Sequence, residues 1–105
     1  MTAMGNYIRV LVVAQSQYRA DELTQILERN SCLVSATTSV TTALDISGYS
    51  DFDALVIAED IPPSERAYLR AQVASKLPSA IIVSNRASRS VMIQLSQAFK
   101  EAGSA

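Results

Sequence analysis

The feature that most constrains this chain is an alternation of apolar runs and helical stretches that repeats four times. The runs are short and rich in β-branched residues, which is typical of strands buried on both faces of a sheet. Between them, apolar residues recur every three or four positions, which is typical of amphipathic helices. The predicted strands cover residues 8–13, 33–36, 53–58 and 80–83. Such alternation predicts parallel strands joined by right-handed helical crossovers, and therefore an α/β chain folded as a three-layer α/β/α sandwich with a parallel sheet.

The ends of the predicted helices carry residues that suit helix termini. A serine stands at each start, where its hydroxyl oxygen can accept a hydrogen bond from a free backbone N–H. Asparagine, glycine or proline stands at each end, where the chain has to leave the helical conformation. The predicted caps are Ser16, Ser39, Ser64 and Ser88, and the predicted stops are Asn30, Gly48, Pro78 and Gly103. These signals place one helix after each strand.

Length and composition indicate one small globular domain. The chain has 105 residues, of which 49% are hydrophobic and 18% charged, enough for a single core. We expect one domain over residues 1–105, with residues 1–6 and 103–105 as loose tails. The N-terminus lacks the basic region and long apolar stretch of a signal peptide, and no apolar run is long enough to span a bilayer. The sequence therefore predicts a cytoplasmic protein with no membrane contact.

Residue counts exclude several kinds of chemistry. The chain has no histidine, which excludes histidine-based catalysis and histidine-ligated metals, and a nucleophilic serine at Ser16 or Ser84 would lack a base. The single cysteine, Cys32, stands at the amino end of a strand and is interpreted as a structural thiol. The net charge of −1 provides no field that attracts DNA or RNA. We therefore expect no enzymatic activity, no cofactor and no nucleic-acid partner.

Polar residues follow the predicted strands at their carboxyl ends, where parallel α/β sheets place their ligand sites. Ser16 precedes the first helix, whose free N–H groups could bind an anion, although the turn lacks the glycines of a phosphate-binding loop. Glu59 and Asp60 are interpreted as a solvated turn, with a hard-cation site or an acid–base pair as the alternative. Arg86 and Arg89 flank the start of the last helix and either face the solvent or hold a phosphate or a partner's carboxylate.

The chain resembles the receiver domain of two-component response regulators in the spacing of its third and fourth strands. In receivers the third strand begins with an aspartate and is followed by a proline, and the fourth strand ends in serine or threonine. Asp53, Pro62 and Ser84 match these positions. The resemblance covers about residues 8–88 and implies a flavodoxin-like, doubly wound fold with five parallel strands in the order 2-1-3-4-5.

The acidic residues that carry receiver chemistry have no counterpart in this sequence. In receivers, two acidic residues after the first strand hold Mg²⁺, and an aspartate at the end of the third strand accepts the phosphoryl group. Ala14, Gln15 and Ala58 take these positions. Phosphoryl transfer needs a carboxylate nucleophile and a cation that neutralises the phosphate. The resemblance therefore implies a degenerate receiver pocket of Ala14, Gln15, Ala58 and Ser84, unless a bulge brings Glu59 into the acceptor position.

The chain is also too short for the fifth strand of a receiver. The residues after Ser84 suffice for one helix, so we expect a sheet truncated to four strands, with a C-terminal helix that replaces the missing elements or docks on a neighbour. The prediction is a non-catalytic, non-phosphorylatable signalling module, a pseudo-receiver, that binds itself as a homodimer or binds another signalling protein. Two alternatives stay open: a sensor of small ligands or anions at the strand-end crevice, and an atypical receiver phosphorylated on another acid.

Overall fold

The computed structural model describes residues 8–86 and 90–103, which contain four strands and four helices in strict alternation. The strands are β1 (Ile8–Val13), β2 (Cys32–Thr37), β3 (Ala54–Ile57) and β4 (Ile81–Ser84). The helices are α1 (Gln17–Arg29), α2 (Val40–Tyr49), α3 (Pro63–Lys76) and α4 (Val91–Gly103). Of the predicted tails, residues 1–6 and 104–105 lie outside the described residues, whereas Gly103 is the last residue of α4.

All four strands run parallel in one sheet with the order β2-β1-β3-β4. The chain steps outward from β1 to β2 and then in the opposite direction to β3 and β4. Right-handed crossovers therefore place α1 on one face of the sheet and α2 and α3 on the other. The last helix, α4, follows β4 and packs on β4 and on α1. The prediction of a three-layer α/β/α sandwich with a parallel sheet is confirmed.

Both faces of the sheet are buried, as the apolar runs predict. Successive side chains of a strand point to opposite faces. Val10 and Val12 pack with Leu23 on the face covered by α1 and α4. Leu11 and Val13 pack on the face covered by α2 and α3. Each of these four strand residues is at most 1% exposed, and the burial of each side chain contributes roughly 1.5–3 kcal/mol to the driving force for folding.

The last helix covers the sheet of its own chain. Val91 and Leu95 are buried against the sheet, and Phe99 packs half-buried against the same core cluster. This position beside α1 confirms the prediction of four strands followed by a C-terminal helix. Within the described residues, β2 and β4 form the two edges of the sheet.

The predicted serine caps are right at two helix starts and wrong at a third. Ser16 Oγ accepts a backbone N–H of α1 at 3.2 Å, and Ser39 Oγ accepts one of α2 at 3.1 Å. Ser64 is not the cap of α3, because that helix already begins at Pro63 and has no side-chain cap. Proline suits the first helical position, since its φ is fixed near the helical value and it has no N–H to satisfy. Ser88 lies outside the described residues.

Two of the predicted helix stops, Asn30 and Pro78, agree with the structure, and a third, Gly48, does not. Asn30 is the C-cap residue that follows the last residue of α1, and the next residue, Ser31, turns the chain with a φ of 65°, in the left-handed region. Pro78 follows the end of α3, whose last helical residue is Lys76. Gly48 does not stop α2, which continues for one more residue, because a glycine with negative φ fits a helix as it stands.

Candidate functional site

The carboxyl edge, where β1, β3 and β4 end, is the part of the sheet that holds the predicted site residues. Ala14 follows β1 and Ala58 follows β3, and both are fully buried. The Ala58 N–H donates to the Val13 carbonyl at 2.9 Å, and the Ala14 N–H donates to the Thr37 carbonyl at 3.2 Å. Both alanines therefore continue the hydrogen bonding of the sheet. They bring methyl groups to the ends of neighbouring strands, with no side-chain oxygen to accept a phosphoryl group or to bind a cation.

The pairing of β1 with β3 is regular up to this point. Residues 10–13 lie opposite residues 54–57 without an inserted residue, and Ala58 continues the same register. The bulge that would bring Glu59 into the acceptor position is thus absent from β3. Glu59 lies instead in the exposed turn that follows the strand.

Asp60 makes three hydrogen bonds at the carboxyl edge. Its Oδ1 accepts the Gln15 N–H at 2.9 Å, and its Oδ2 accepts both the N–H and the hydroxyl of Ser16, at 3.0 and 3.1 Å. Burial raises the pKa of Asp60, but these hydrogen bonds and the charge of Arg19 outweigh it and hold the pKa below its usual value. Glu59 and Asp60 both lie in an exposed turn, as the sequence predicted, and the Asp60 carboxylate in addition ties this turn to the start of α1.

Sequence reasoning missed a network that joins α1, α4 and the loop after β4. Arg19 Nη2 donates to Asn85 Oδ1 at 2.5 Å, and Asn85 Nδ2 donates to Gln94 Oε1 at 2.8 Å. Arg19 Nη1 also pairs with Glu22 Oε1 at 2.6 Å, one turn further along α1. Asn85 is only 1% exposed, so these bonds satisfy an amide whose burial would otherwise be costly. Arg19 and Asn85 are 66 residues apart in sequence, so no local pattern indicates their contact.

Ser84 is held through its side chain and through its backbone. Its Oγ accepts a hydrogen bond from Arg70 Nη2 of α3 at 2.8 Å, and its carbonyl accepts one from Gln94 Nε2 of α4 at 3.2 Å. Gln94 Oε1 in turn accepts the Arg86 N–H at 3.3 Å. The end of β4 is therefore held by side chains from both helix layers, Arg70 of α3 and Gln94 of α4. Arg86 is exposed, and the other predicted anion contact, Arg89, lies outside the described residues.

The polar groups of the carboxyl edge brace the loops of the fold. The Asp60 carboxylate holds the start of α1, Arg19 holds Asn85, and Arg70 holds Ser84. Among the described residues, no group of three or more histidine, cysteine, aspartate or glutamate side chains is placed to hold a metal ion. Each helix in the same part of the chain is too short or too polar to cross a membrane.

Three clefts lie at the opposite, amino edge of the sheet. Their volumes are about 630, 420 and 340 Å³, and Phe52 lines all three. Beside it, the Arg9 N–H donates to Asp53 Oδ2 at 2.9 Å, and Arg9 Nε lies 3.7 Å from the same oxygen. Cys32 begins its strand at this edge, and its burial raises the pKa of the thiol, which disfavours the reactive thiolate form. None of the three clefts belongs to the carboxyl edge, where a ligand sensor would have its crevice.

No protein-family model matches the chain, and no curated protein matches its sequence. Solved structures do match. A response regulator from Burkholderia pseudomallei, with a phosphorylated aspartic acid, calcium ion and citrate, is similar with a TM-score of 0.67 and 23% identity. The match covers 90% of this chain and 55% of that one. The receiver domain of NtrC4 from Aquifex aeolicus gives a TM-score of 0.65 and 19% identity, over 90% of this chain and 78% of that one.

This chain has the receiver fold. A pilus assembly protein (cpaE) from Burkholderia thailandensis is also similar in structure, with a TM-score of 0.61 and 19% identity over 93% of this chain and 99% of that one. The chain thus spans about half the length of the response regulator and nearly the whole length of the pilus assembly structure. Since all three identities are below 25%, the likeness concerns the fold. The flavodoxin-like, receiver-like class expected from the sequence is confirmed.

Proposed function

We propose that this receiver-fold chain is a signalling module that is neither phosphorylated nor catalytic, and that acts by binding proteins, including a second copy of itself. The observation that carries the proposal is the pair of buried methyl groups of Ala14 and Ala58 at the ends of β1 and β3. Phosphorylation of a receiver needs a carboxylate oxygen to attack the phosphorus atom and a cation to neutralise the phosphate oxygens. A methyl group supplies neither.

The engagement of the neighbouring polar groups supports the same proposal. Asp60 accepts hydrogen bonds from the start of α1, and Ser84 Oγ accepts one from Arg70. Asn85, at the end of β4, bonds to residues of both α1 and α4. Such bonds stabilise the folded chain at about 0.5–1.5 kcal/mol each, more where a charge is involved. We therefore assign the carboxyl edge a structural role, and we assign protein binding to the surface of the domain.

The alternative, an atypical phosphorylated receiver, would need another acid near the carboxyl edge, and Asp60 is one such acid. Its carboxylate would need to release the N–H groups of Gln15 and Ser16 before it could attack a phosphoryl donor. Each hydrogen bond lost in this way costs about 0.5–1.5 kcal/mol. The positive charge of Arg19 acts on Asp60 and opposes a divalent cation at the same place. These contacts favour a structural role for Asp60.

Large apolar side chains on the surface support a role in protein binding. Tyr18 on α1, Tyr68 on α3 and Ile93 on α4 are each more than half exposed. Aromatic residues of this kind are enriched in protein–protein interfaces. The likeness to a response regulator and to a pilus assembly protein supports a place in signalling or in a protein assembly.

The proposal is tested by incubating the purified chain with acetyl phosphate and Mg²⁺ and measuring its intact mass. A phosphorylation-competent receiver domain, treated in parallel, serves as the positive control. We expect the control to gain one phosphoryl group and this chain to keep its mass. A gain of one phosphoryl group on this chain would overturn the proposal, and peptide mapping would then identify the acceptor.

A further inference from the structure

The free edge of β4 exposes a defined set of backbone groups. The N–H groups of Ile81 and Asn85 donate to the β3 side, to the carbonyls of Asp53 at 3.0 Å and Ile57 at 2.8 Å. In a strand the backbone groups of successive residues point to opposite sides. The N–H and C=O groups of Ile82 and Ser84 therefore point away from β3. Within the described residues, no strand pairs with this side of β4.

Gln94 forms hydrogen bonds with the backbone groups in the carboxyl half of this edge. Its side-chain amide donates to the Ser84 carbonyl at 3.2 Å and accepts the Arg86 N–H at 3.3 Å. This is the bonding that the backbone of a further strand would provide. The Ala80 N–H is also engaged, with the Leu77 carbonyl at 3.0 Å. The groups that remain toward the free edge are both backbone groups of Ile82, the N–H of Ser84 and the carbonyl of Ala80.

We propose that two copies of this chain pair through β4 in antiparallel orientation, about a two-fold axis at Ile82. This rests on the proposed function of a module that binds its own copy. In that register the two Ile82 residues exchange both of their backbone hydrogen bonds, as directly opposed residues of an antiparallel pair do. Each Ser84 N–H then meets the Ala80 carbonyl of the other copy. The two four-stranded sheets become one continuous sheet of eight strands.

The groups already engaged select this register. A shift of the axis to Val83 would set Ile82 of one copy opposite Ser84 of the other and would require the Ser84 carbonyl, which Gln94 holds. The axis at Ile82 leaves the bonds from Gln94 to Ser84 and from Ala80 to Leu77 in place. Because a two-fold interface brings the same surface of both copies together, a set of groups that complements itself fits a second copy of this chain.

The side chains around β4 are also suited to pairing. The strand sequence IIVS contains no charge and no proline, which are the residues that proteins use to block an edge. Met92 and Phe99 of α4 are half-buried over β4, and Ile93 on the same helix is 55% exposed. In the paired form α4 of each copy flanks the new junction and adds apolar surface to the backbone hydrogen bonds.

The direct test is amide hydrogen exchange by NMR at several protein concentrations, with light scattering on the same samples. We expect a particle of twice the 11.3 kDa chain mass at high concentration, with protection of the Ile82 and Ser84 amides that is lost on dilution. The Ile81 amide, bonded to Asp53, is the internal reference and should stay protected throughout. A chain that is monomeric at every concentration, or a dimer with an unprotected Ile82 amide, would overturn the proposal.

A matched pair of variants gives a second test. Ser84→Ala and Ser84→Pro both remove the hydroxyl that binds Arg70, but only the proline removes the N–H at the free edge. We expect dimerisation of Ser84→Pro to be weaker on the order of tenfold or more than that of Ser84→Ala. Equal dimerisation of the two variants would contradict pairing at β4. Failure of either test leaves the prediction about phosphorylation standing, whereas a phosphorylated chain would overturn the proposed function whatever its oligomeric state.

Discussion

The Asp60 carboxylate accepts the backbone N–H of Ser16 at 3.0 Å, although the two residues are 44 positions apart in sequence. The bond joins the turn after β3 to the start of α1, where an oxygen satisfies free N–H groups and a negative charge suits the helix dipole. It places a carboxylate at the carboxyl edge in a structural role, beside two strand ends that carry only methyl groups.

Removal of this carboxylate should weaken the fold. Asp60→Ala leaves the N–H groups of Gln15 and Ser16 without their acceptor, so we expect the free energy of unfolding to fall by about 1 kcal/mol. Asp60→Asn keeps one amide oxygen as an acceptor and should lose less. Urea titration followed by circular dichroism measures both changes. Equal stability of Asp60→Ala and the unchanged chain would show that these bonds contribute nothing.

The acid dependence of stability should depend on the same residue. The folded-state pKa of Asp60 lies below its usual value, so at acid pH the unfolded chain binds more protons at this group than the folded chain does. The contribution of Asp60 is therefore complete above the unfolded pKa of about 3.9 and is lost as the pH falls through the folded pKa. Between about pH 5 and pH 3, the unchanged chain should lose more stability than Asp60→Asn does. Parallel stability curves for the two proteins would contradict this assignment.

The contact of Asn85 with α1 and α4 predicts a larger loss. Asn85→Ala removes an amide that is 1% exposed and leaves the partner atoms of Arg19 and Gln94 without it, so we expect a loss of roughly 2 kcal/mol. Gln97→Ala is the control, because Gln97 is exposed on α4, the helix that carries Gln94. It should change stability by less than about 0.5 kcal/mol. In a double-mutant cycle, Asn85→Ala and Gln94→Ala should be less than additive. Full additivity would show that the two residues act independently.

The turn between α1 and β2 offers a stabilising substitution. Ser31 has a φ of 65°, which costs energy for any residue with a Cβ atom. Ser31→Gly should therefore raise the free energy of unfolding by about 0.5 kcal/mol, after the larger entropy of glycine in the unfolded chain is subtracted. Ser31→Val should have the opposite effect, because a β-branched residue fits this conformation poorly. Thermal unfolding of the three proteins checks the order, and a Ser31→Gly protein less stable than the unchanged chain would contradict it.

The layers of the fold follow from local patterns, which is why they could be predicted. The run at residues 8–13 is apolar at nearly every position, so it forms a central strand buried on both faces. Ser16 and Ser39 cap their helices because the groups they bind lie only three residues ahead. The one wrong cap, Ser64, shows the limit of such signals, since the proline before it starts the helix without a side-chain cap.

The contacts of the carboxyl edge could not be predicted in the same way. The resemblance to receivers identified Ala14 and Ala58 as the residues at the positions of the receiver acids, because the positions of a motif can be counted along the sequence. Asp60 and Asn85, by contrast, act on partners that only the folded topology brings near. Their side chains also suit an exposed turn or loop equally well. Sequence periodicity reports which face of an element is buried, and it carries no information on which loops meet.

The most direct test of the central claim is an NMR titration of the isotope-labelled chain with acetyl phosphate and Mg²⁺. It detects binding at the carboxyl edge as well as covalent transfer, through the amide signals of Gln15, Ser16 and Asn85. If this edge is a structural brace without phosphoryl chemistry, these signals keep their positions at every concentration of the two reagents. Saturable shifts of all three signals that require Mg²⁺ would contradict the claim and would show that the carboxyl edge is a working receiver pocket.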